Sequence, residues 1–164
     1  MTRSLDLGCG AHPKNPFAAD ELFGVDLAGV VTNHIKIADL AIEPIPFPDE
    51  YFDYVTAYDV IEHIPRVVYA PGRRYSFVEL MNEIYRVLKP GGVFFSQTPA
   101  FPHPEAWQDP THVNVITFET FHKYFDDTFR WAAAYGYRGA FRIVGQEMHG
   151  PHLLARLEKV PAPT

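Results

Sequence analysis

Leu5 to Gly10, LDLGCG, leaves this chain few folds to choose from: an apolar run, close to the first residue, breaks directly into a glycine turn. Gly8 and Gly10 tolerate positive φ and put no Cβ in the way, so a strand ending here lets a ligand lie against bare backbone. A dinucleotide fingerprint would need a third small residue and a helix leaving the turn at once. Pro13 stands in that place. It argues against a pyrophosphate site, and so against a nicotinamide oxidoreductase.

The same alternation continues downstream. Leu5–Leu7, Phe23–Asp26, His34–Ile37, Tyr54–Ala57 and Val93–Gln97 are β-branched or aromatic runs between turn residues, which predicts the strands of a parallel α/β sheet. The segment SFVE predicts a helix with Ser76 as N-cap and Glu79 reaching back to it. Phe77, Leu80, Met81, Ile84, Val87 and Leu88 then form an i, i+3, i+4 stripe, and Lys89-Pro90-Gly91-Gly92 ends it. A second helix is expected from Thr117, with Phe118, Phe121 and Phe125 on one face; Asp126 to Gly139 carries no assignable pattern. AFRIVGQE and HLLARLEK, joined by MHGP, predict an antiparallel hairpin, because the link is too short for a crossover.

Carboxylates recur where these strands end. Asp26 closes FGVDL, Asp39 follows IKI, and the fourth strand runs into YDVIEHI. In open parallel sheets ligands bind at the carboxyl ends of the strands, so these groups would converge on one cleft. Taken in order, LDLGCG, GVDL, ADL, PFPDEYFDYVTAYDVIEHI and EIYRVLKPGGVFF resemble the class I S-adenosylmethionine-dependent methyltransferases, closely over Leu5 to Pro99.

That resemblance implies a single domain over residues 1–164: a doubly wound, Rossmann-like sheet of seven strands, mostly parallel, with an antiparallel terminal hairpin. It implies that S-adenosylmethionine is the cofactor. The turn Asp6, Gly8, Cys9 and Gly10 would hold its amino acid end, Asp26 with Leu27 its ribose, Asp39 with Leu40 its adenine, and Tyr58 would lie near the methionine moiety. A site rich in carboxylates suits a sulfonium beside an α-amino group. Many relatives carry a third glycine where this chain has His12, which leaves the turn beyond Gly10 undetermined.

Each of these residues has a plainer reading. Asp26 and Asp39 could cap turns, and Cys9 reads as packing, since nothing near it promises a depressed pKa. His63, just past the fourth strand, is placed to act as a general base, or Glu62 and His63 could serve only the entry into the next segment. DVIEHI also resembles the glutamate-x-x-glutamate-histidine ligand cluster of some metal-dependent O-methyltransferases, with Asp59, Glu62 and His63 in those places and His112 as a fourth candidate. Asp59 is one methylene shorter than that pattern, so the sequence leaves a metal undecided. Residues 98–116 form a long polar and aromatic loop, in the place where the family contacts its acceptor, with Trp107, Asp109 and His112 as acceptor-binding candidates. Trp107 could instead plug the core.

Relatives would carry a helix before each of the first three strands. Here Met1 to Arg3 alone precede the first strand, thirteen residues separate Gly10 from Gly24, and Leu27 to His34 are eight residues. One sheet face should therefore be thinly covered, with Ser4, Asp6, Thr56 and Ser96 pointing to one side and Leu5, Leu7, Val55 and Phe95 to the other. A homodimer, or a subunit partner docked on that face, is the expectation.

Twenty acidic against 14 basic residues give a formal charge of -6, so nothing draws the chain to phosphate backbones, and Arg66, Arg73 and Arg74 are the only local basic surface to consider. One cysteine and no long apolar run suggest a cytoplasmic protein without a membrane segment. The expected activity is methyl transfer to a small-molecule or sugar acceptor by in-line displacement. The alternative is a non-catalytic cofactor-binding subunit or interaction module. Residues 160–164, VPAPT, are expected to be a flexible tail.

Overall fold

A computed structural model describes residues 1–29 and 31–163. Its sheet contains β1 (Arg3–Leu7), β2 (Glu21–Asp26), β3 (Ile35–Ile37), β4 (Phe52–Tyr58), β5 (Leu88–Pro99), β6 (Phe141–His149) and β7 (His152–Lys159), in the spatial order β3-β2-β1-β4-β5-β7-β6. The first five strands are parallel and β7 runs antiparallel between β5 and β6. The order reverses direction between β1 and β4, which makes the carboxyl ends of those two strands the switch point where open sheets bind ligands.

One face carries α1 (Ser76–Val87) and the short α2 (Glu119–Tyr124). Leu5, Leu7, Val55, Ala57 and Phe94 of the sheet join Phe77, Leu80, Met81, Ile84 and Val87 of α1 in one apolar core, closed by Phe121 and Phe125. The helix starts without the expected capping box. Tyr75 is its N-cap, Ser76 is buried inside the first turn, and the Glu79 carboxylate goes to the Arg74 guanidinium. A charge-assisted bond to arginine outweighs one to a backbone N–H. The first turn is instead tied down by the Pro65 carbonyl, which accepts the Phe77 N–H at 3.2 Å. Leu88 opens β5 rather than ending the helix. Phe121 of α2 and Phe125 just after it are buried, whereas Phe118 just before it is exposed, so the buried part of the expected apolar face does not reach Phe118. A 3₁₀ turn, Trp131–Tyr135, occupies part of the stretch without a readable pattern.

The segments joining β1 to β2 and β2 to β3 contain no helix among the described residues, so the opposite face is covered by loop. Its packing explains Gly24 and Pro13 together: a Cβ on Gly24 would stand 2.4 Å from the Cys9 sulfur and 3.0 Å from Pro13 Cγ. Only a glycine in β2 lets the chain after the turn lie directly on the sheet. Phe17 then stacks on Tyr54 at 4.3 Å between ring centroids, and the Lys14 ammonium sits 4.1 Å from the Tyr58 ring centroid. Ser4, Asp6 and Thr56 do share this face and are buried beneath that loop. Ser96 and Phe95 are exchanged relative to expectation. Phe95 pairs with Thr56 on the loop-covered side and Ser96 with Ala57 on the helix side, because an irregularity between Phe52 and Tyr54 shifts the register where β5 begins.

Arg66 and Arg74 are committed to contacts within the fold: Arg66 donates to the Asn114 side chain and the Val115 carbonyl, and Arg74 donates to Ile42 and Glu79. At the C-terminus Val160 is buried and hydrogen-bonded at both its N–H and its carbonyl, to Ala140 and Tyr85, so it belongs to the fold rather than to a tail. Thr164, the last residue of the expected tail, lies outside the described residues. No helix among the described residues is long and apolar enough to cross a membrane.

Candidate functional site

The glycine turn is built from both sides of the switch point. Gly8 has φ of 66°, and a Cβ there would fall 2.3 Å from Val60 Cγ2; Gly10 has φ of 55° and open space where its Cβ would be. The first glycine thus lets the chain after β4 close over the turn, and the second leaves the turn's outer side bare. The Asp26 carboxylate accepts the Gly10 N–H at 2.7 Å and the Ala28 N–H at 3.2 Å. It fixes the turn after β1 against the end of β2 and keeps lone pairs for a ligand. Leu27 beside it is 66% exposed, an apolar side chain held at the rim.

Asp6 lies under the turn. Its oxygens accept the Lys14 N–H at 2.8 Å and the Thr56 hydroxyl at 2.6 Å, and burial pushes its carboxyl above the usual carboxylate range. Cys9 is buried with its thiol pushed up to about 11 by the same desolvation, and so is inert packing. Asp39 begins a tight turn: its Oδ1 accepts the Ala41 N–H and its carbonyl those of Ile42 and Glu43, while Leu40 is buried. Burial raises the Tyr58 phenol above its ordinary value, and its ring lies against Phe95 at 5.3 Å.

A second cluster gathers beyond β4. The 3₁₀ turn Ile61–His63 is stitched to the long loop, because the Glu62 carbonyl accepts the N–H groups of both Val113 and Asn114 at 2.9 Å. Asn114 is buried and donates to the Ile61 carbonyl. Those bonds bring His112 beside His63, with ring centroids 4.8 Å apart. The Glu62 side chain is 1% exposed; one oxygen accepts the Thr98 hydroxyl at 2.9 Å and the other has no partner. Burial raises its carboxyl above the usual range. Asp59 does not join this group. It adopts φ of 54° and turns to His152, 3.2 Å away.

Proton bookkeeping fixes the His63 tautomer. Thr111 Oγ1 lies 2.7 Å from Asp109 Oδ1 and 3.0 Å from His63 Nδ1. The Asp109 carboxylate can only accept, and its hydrogen bonds with Thr111 hold it below its ordinary range. The hydroxyl therefore donates to Asp109 and accepts from His63 Nδ1–H. In the neutral imidazole the lone pair then lies on Nε2, fit to be a base or a ligand. Trp107 is 59% exposed and plugs nothing.

Thr111, Thr98, Lys14 and Val60 belong to this site although none stood out in the sequence. A lone threonine, lysine or valine carries no local signal; only the pairing of distant segments shows its part.

A seven-stranded sheet in this order, parallel except for β7 set antiparallel between β5 and β6, is the Rossmann-like class I methyltransferase fold. The sequence profile of the family described as "Methyltransferase domain" matches residues 5–96, and the chain belongs to that family. It is 29% identical over 126 residues to a demethylmenaquinone methyltransferase of Listeria welshimeri, covering 65% of this chain and 49% of the relative. It is 32% identical over 112 residues to a sterol 24-C-methyltransferase of Schizosaccharomyces pombe, covering 57% of this chain and 26% of that one. The chain spans about half the length of the Listeria relative. Among solved structures, an S-adenosylmethionine-dependent methyltransferase from Mesorhizobium loti superposes with a TM-score of 0.62 at 17% identity, over 95% of this chain and 90% of its own.

Proposed function

We propose that this chain binds S-adenosylmethionine along the ends of β1, β2 and β3 and transfers its methyl group to a small-molecule or sugar acceptor by in-line displacement. The observation that carries this reading is the Gly10–Asp26 bond, which couples a turn with a bare outer side to a carboxylate at the end of the next strand. Asp26 would accept the ribose hydroxyls, the exposed Leu27 would lie against the nucleoside, and Asp39 with Leu40 would border the adenine. The amino acid end would follow Gly8, Cys9 and Gly10 above the buried Asp6, with Tyr58 alongside. Lys14, whose N–H donates to Asp6 and whose ammonium lies over the Tyr58 ring, suits the cofactor's carboxylate.

In this reading the bare Nε2 of His63 takes the acceptor's proton as its nucleophile attacks the methyl carbon, and Trp107, Asp109 and His112 border the acceptor. Alignment of acceptor and sulfonium supplies much of the rate, and the base adds to it. The loop-covered sheet face remains the place where a second copy or a partner subunit would dock. Its exposed Arg156 and half-buried Leu154 stand beside Phe95.

Calorimetric titration with S-adenosylmethionine and its demethylated product tests the cofactor site. Loss of the ribose contacts in Asp26→Ala should cost about 2 kcal/mol, roughly a thirtyfold weaker Kd, with the urea midpoint measured in parallel to confirm folding. Unchanged affinity in a folded Asp26→Ala protein, or no binding by the unaltered chain, would refute the reading.

A further inference from the structure

We propose that Glu62, His63 and His112 form a three-ligand site for a borderline divalent cation of the zinc type. One ligand atom from each lies within 4.8 Å of the others. Carboxylate or imidazole ligands about 2.1 Å from a zinc ion stand roughly 3.4 Å from one another in tetrahedral geometry, so the cluster needs to contract by up to about 1.4 Å. His63 is exposed and sits on a short turn, so this movement would carry its Thr111 partner with it.

Two orphaned polar atoms point to a missing ligand independently of spacing. The second oxygen of Glu62 and Nδ1 of His112 are both shielded from water and both lack a hydrogen-bond partner. Buried polar atoms are almost always satisfied, and two left open side by side in one cluster are what a cation would satisfy. The surroundings are those of a ligand set. His63 Nδ1–H is anchored by Thr111 and Asp109, which leaves Nε2 as the ring's ligand atom, and Thr98 holds the other oxygen of Glu62. Outer partners of this kind orient metal ligands and raise their basicity. Asp59, turned to His152, takes no part, so the set is one carboxylate and two imidazoles with the remaining positions open. An open position is where a hydroxyl could bind and lose its proton more readily. That use of the ion rests on the methyl-transfer reading above and takes the place of His63 as the base there, because the Nε2 lone pair is then held by the ion; the binding of the ion does not rest on it.

The test uses the full chain, stripped with a chelator and titrated with Zn²⁺ against a chromophoric competitor, and with Co²⁺ followed by its visible absorption. One ion per chain is expected, with Co²⁺ bands of a four- or five-coordinate centre. His63→Ala, which alters only an exposed side chain, and Glu62→Gln should each weaken Zn²⁺ binding at least tenfold, whereas His122→Ala on α2 should leave it unchanged. Absence of stoichiometric binding, or binding equal in His63→Ala and the unaltered chain, would overturn the proposal. Titration of the same samples with S-adenosylmethionine separates the two readings. Cofactor binding without zinc binding refutes the metal site alone, and zinc binding without cofactor binding refutes the methyltransferase reading alone.

Discussion

Asp6 offers the sharpest quantitative trial of how the turn is held. Its side chain is 2% exposed and both oxygens accept protein hydrogen bonds, from Lys14 N–H and from the Thr56 hydroxyl. Replacing it with alanine removes two bonds worth about 1 kcal/mol each and leaves the buried Thr56 hydroxyl only the Leu5 carbonyl 3.4 Å away, so Asp6→Ala should lose about 2–3 kcal/mol. For a chain of this size that lowers Tm by about 4–12 °C. Asparagine is different. Its carbonyl can keep the Lys14 N–H, while its NH₂ donates to Thr56 Oγ1, whose hydroxyl turns to the Leu5 carbonyl 3.4 Å away. Asp6→Asn should therefore stay within about 1 kcal/mol of the unaltered protein. The pH dependence separates the two forms further. Because burial raises the Asp6 pKa, the native state holds a proton that the unfolded chain has released. Its stabilising share is then complete below the unfolded pKa, near 3.8, and fades as pH rises through the folded value. Urea unfolding followed by circular dichroism from pH 4 to 8 should show Asp6→Asn gaining on the unaltered protein as pH increases. If asparagine is as damaging as alanine, or the gap between Asp6→Asn and the unaltered protein is flat with pH, the account of a desolvated, hydrogen-bonded carboxyl is wrong.

Gly24→Val should destabilise by about 2–3 kcal/mol, read from the urea midpoint, because even its Cβ collides with Cys9 and Pro13; a neutral effect would mean that the loop does not lie on β2. Thr111→Val should abolish the Nδ1–H bias of His63, and Thr111→Ser should restore it, as seen in long-range ¹H–¹⁵N spectra of the imidazole; an unchanged tautomer in the valine variant would dismiss the relay through Asp109.

The sheet was legible because its signals are local. Each strand is a short apolar run between turn residues, and the glycine turn fixes where the first one ends. Misreadings arose where long-range pairing overrode a local rule. Ser76 and Glu79 have the spacing of a capping box, but Arg74 competes for the carboxylate and Pro65 supplies the cap instead. Side-chain parity in β5 could not be read from its own sequence, because the Lys89-Pro90-Gly91-Gly92 stretch lets the strand begin on either face and only pairing with β4 decides. At the site, the cluster of His63 with His112 was open to sequence reasoning as two histidines near expected strand ends. The Thr111 link was not, since it depends on two carbonyl-anchored N–H groups after it, those of Val113 and Asn114.

The long loop leaves the sheet beside Ala100 and rejoins it at Ile116, and those two residues bridge in parallel, with the Phe101 N–H donating to the Ile116 carbonyl at 2.8 Å. A segment knotted at its own neck can be rewritten at its exposed positions between Pro102 and Gln108 without strain reaching the strands. On the reading proposed above, selectivity toward acceptors and the apparatus holding the cofactor would be inherited as separable parts, one free to diversify while the other stays fixed.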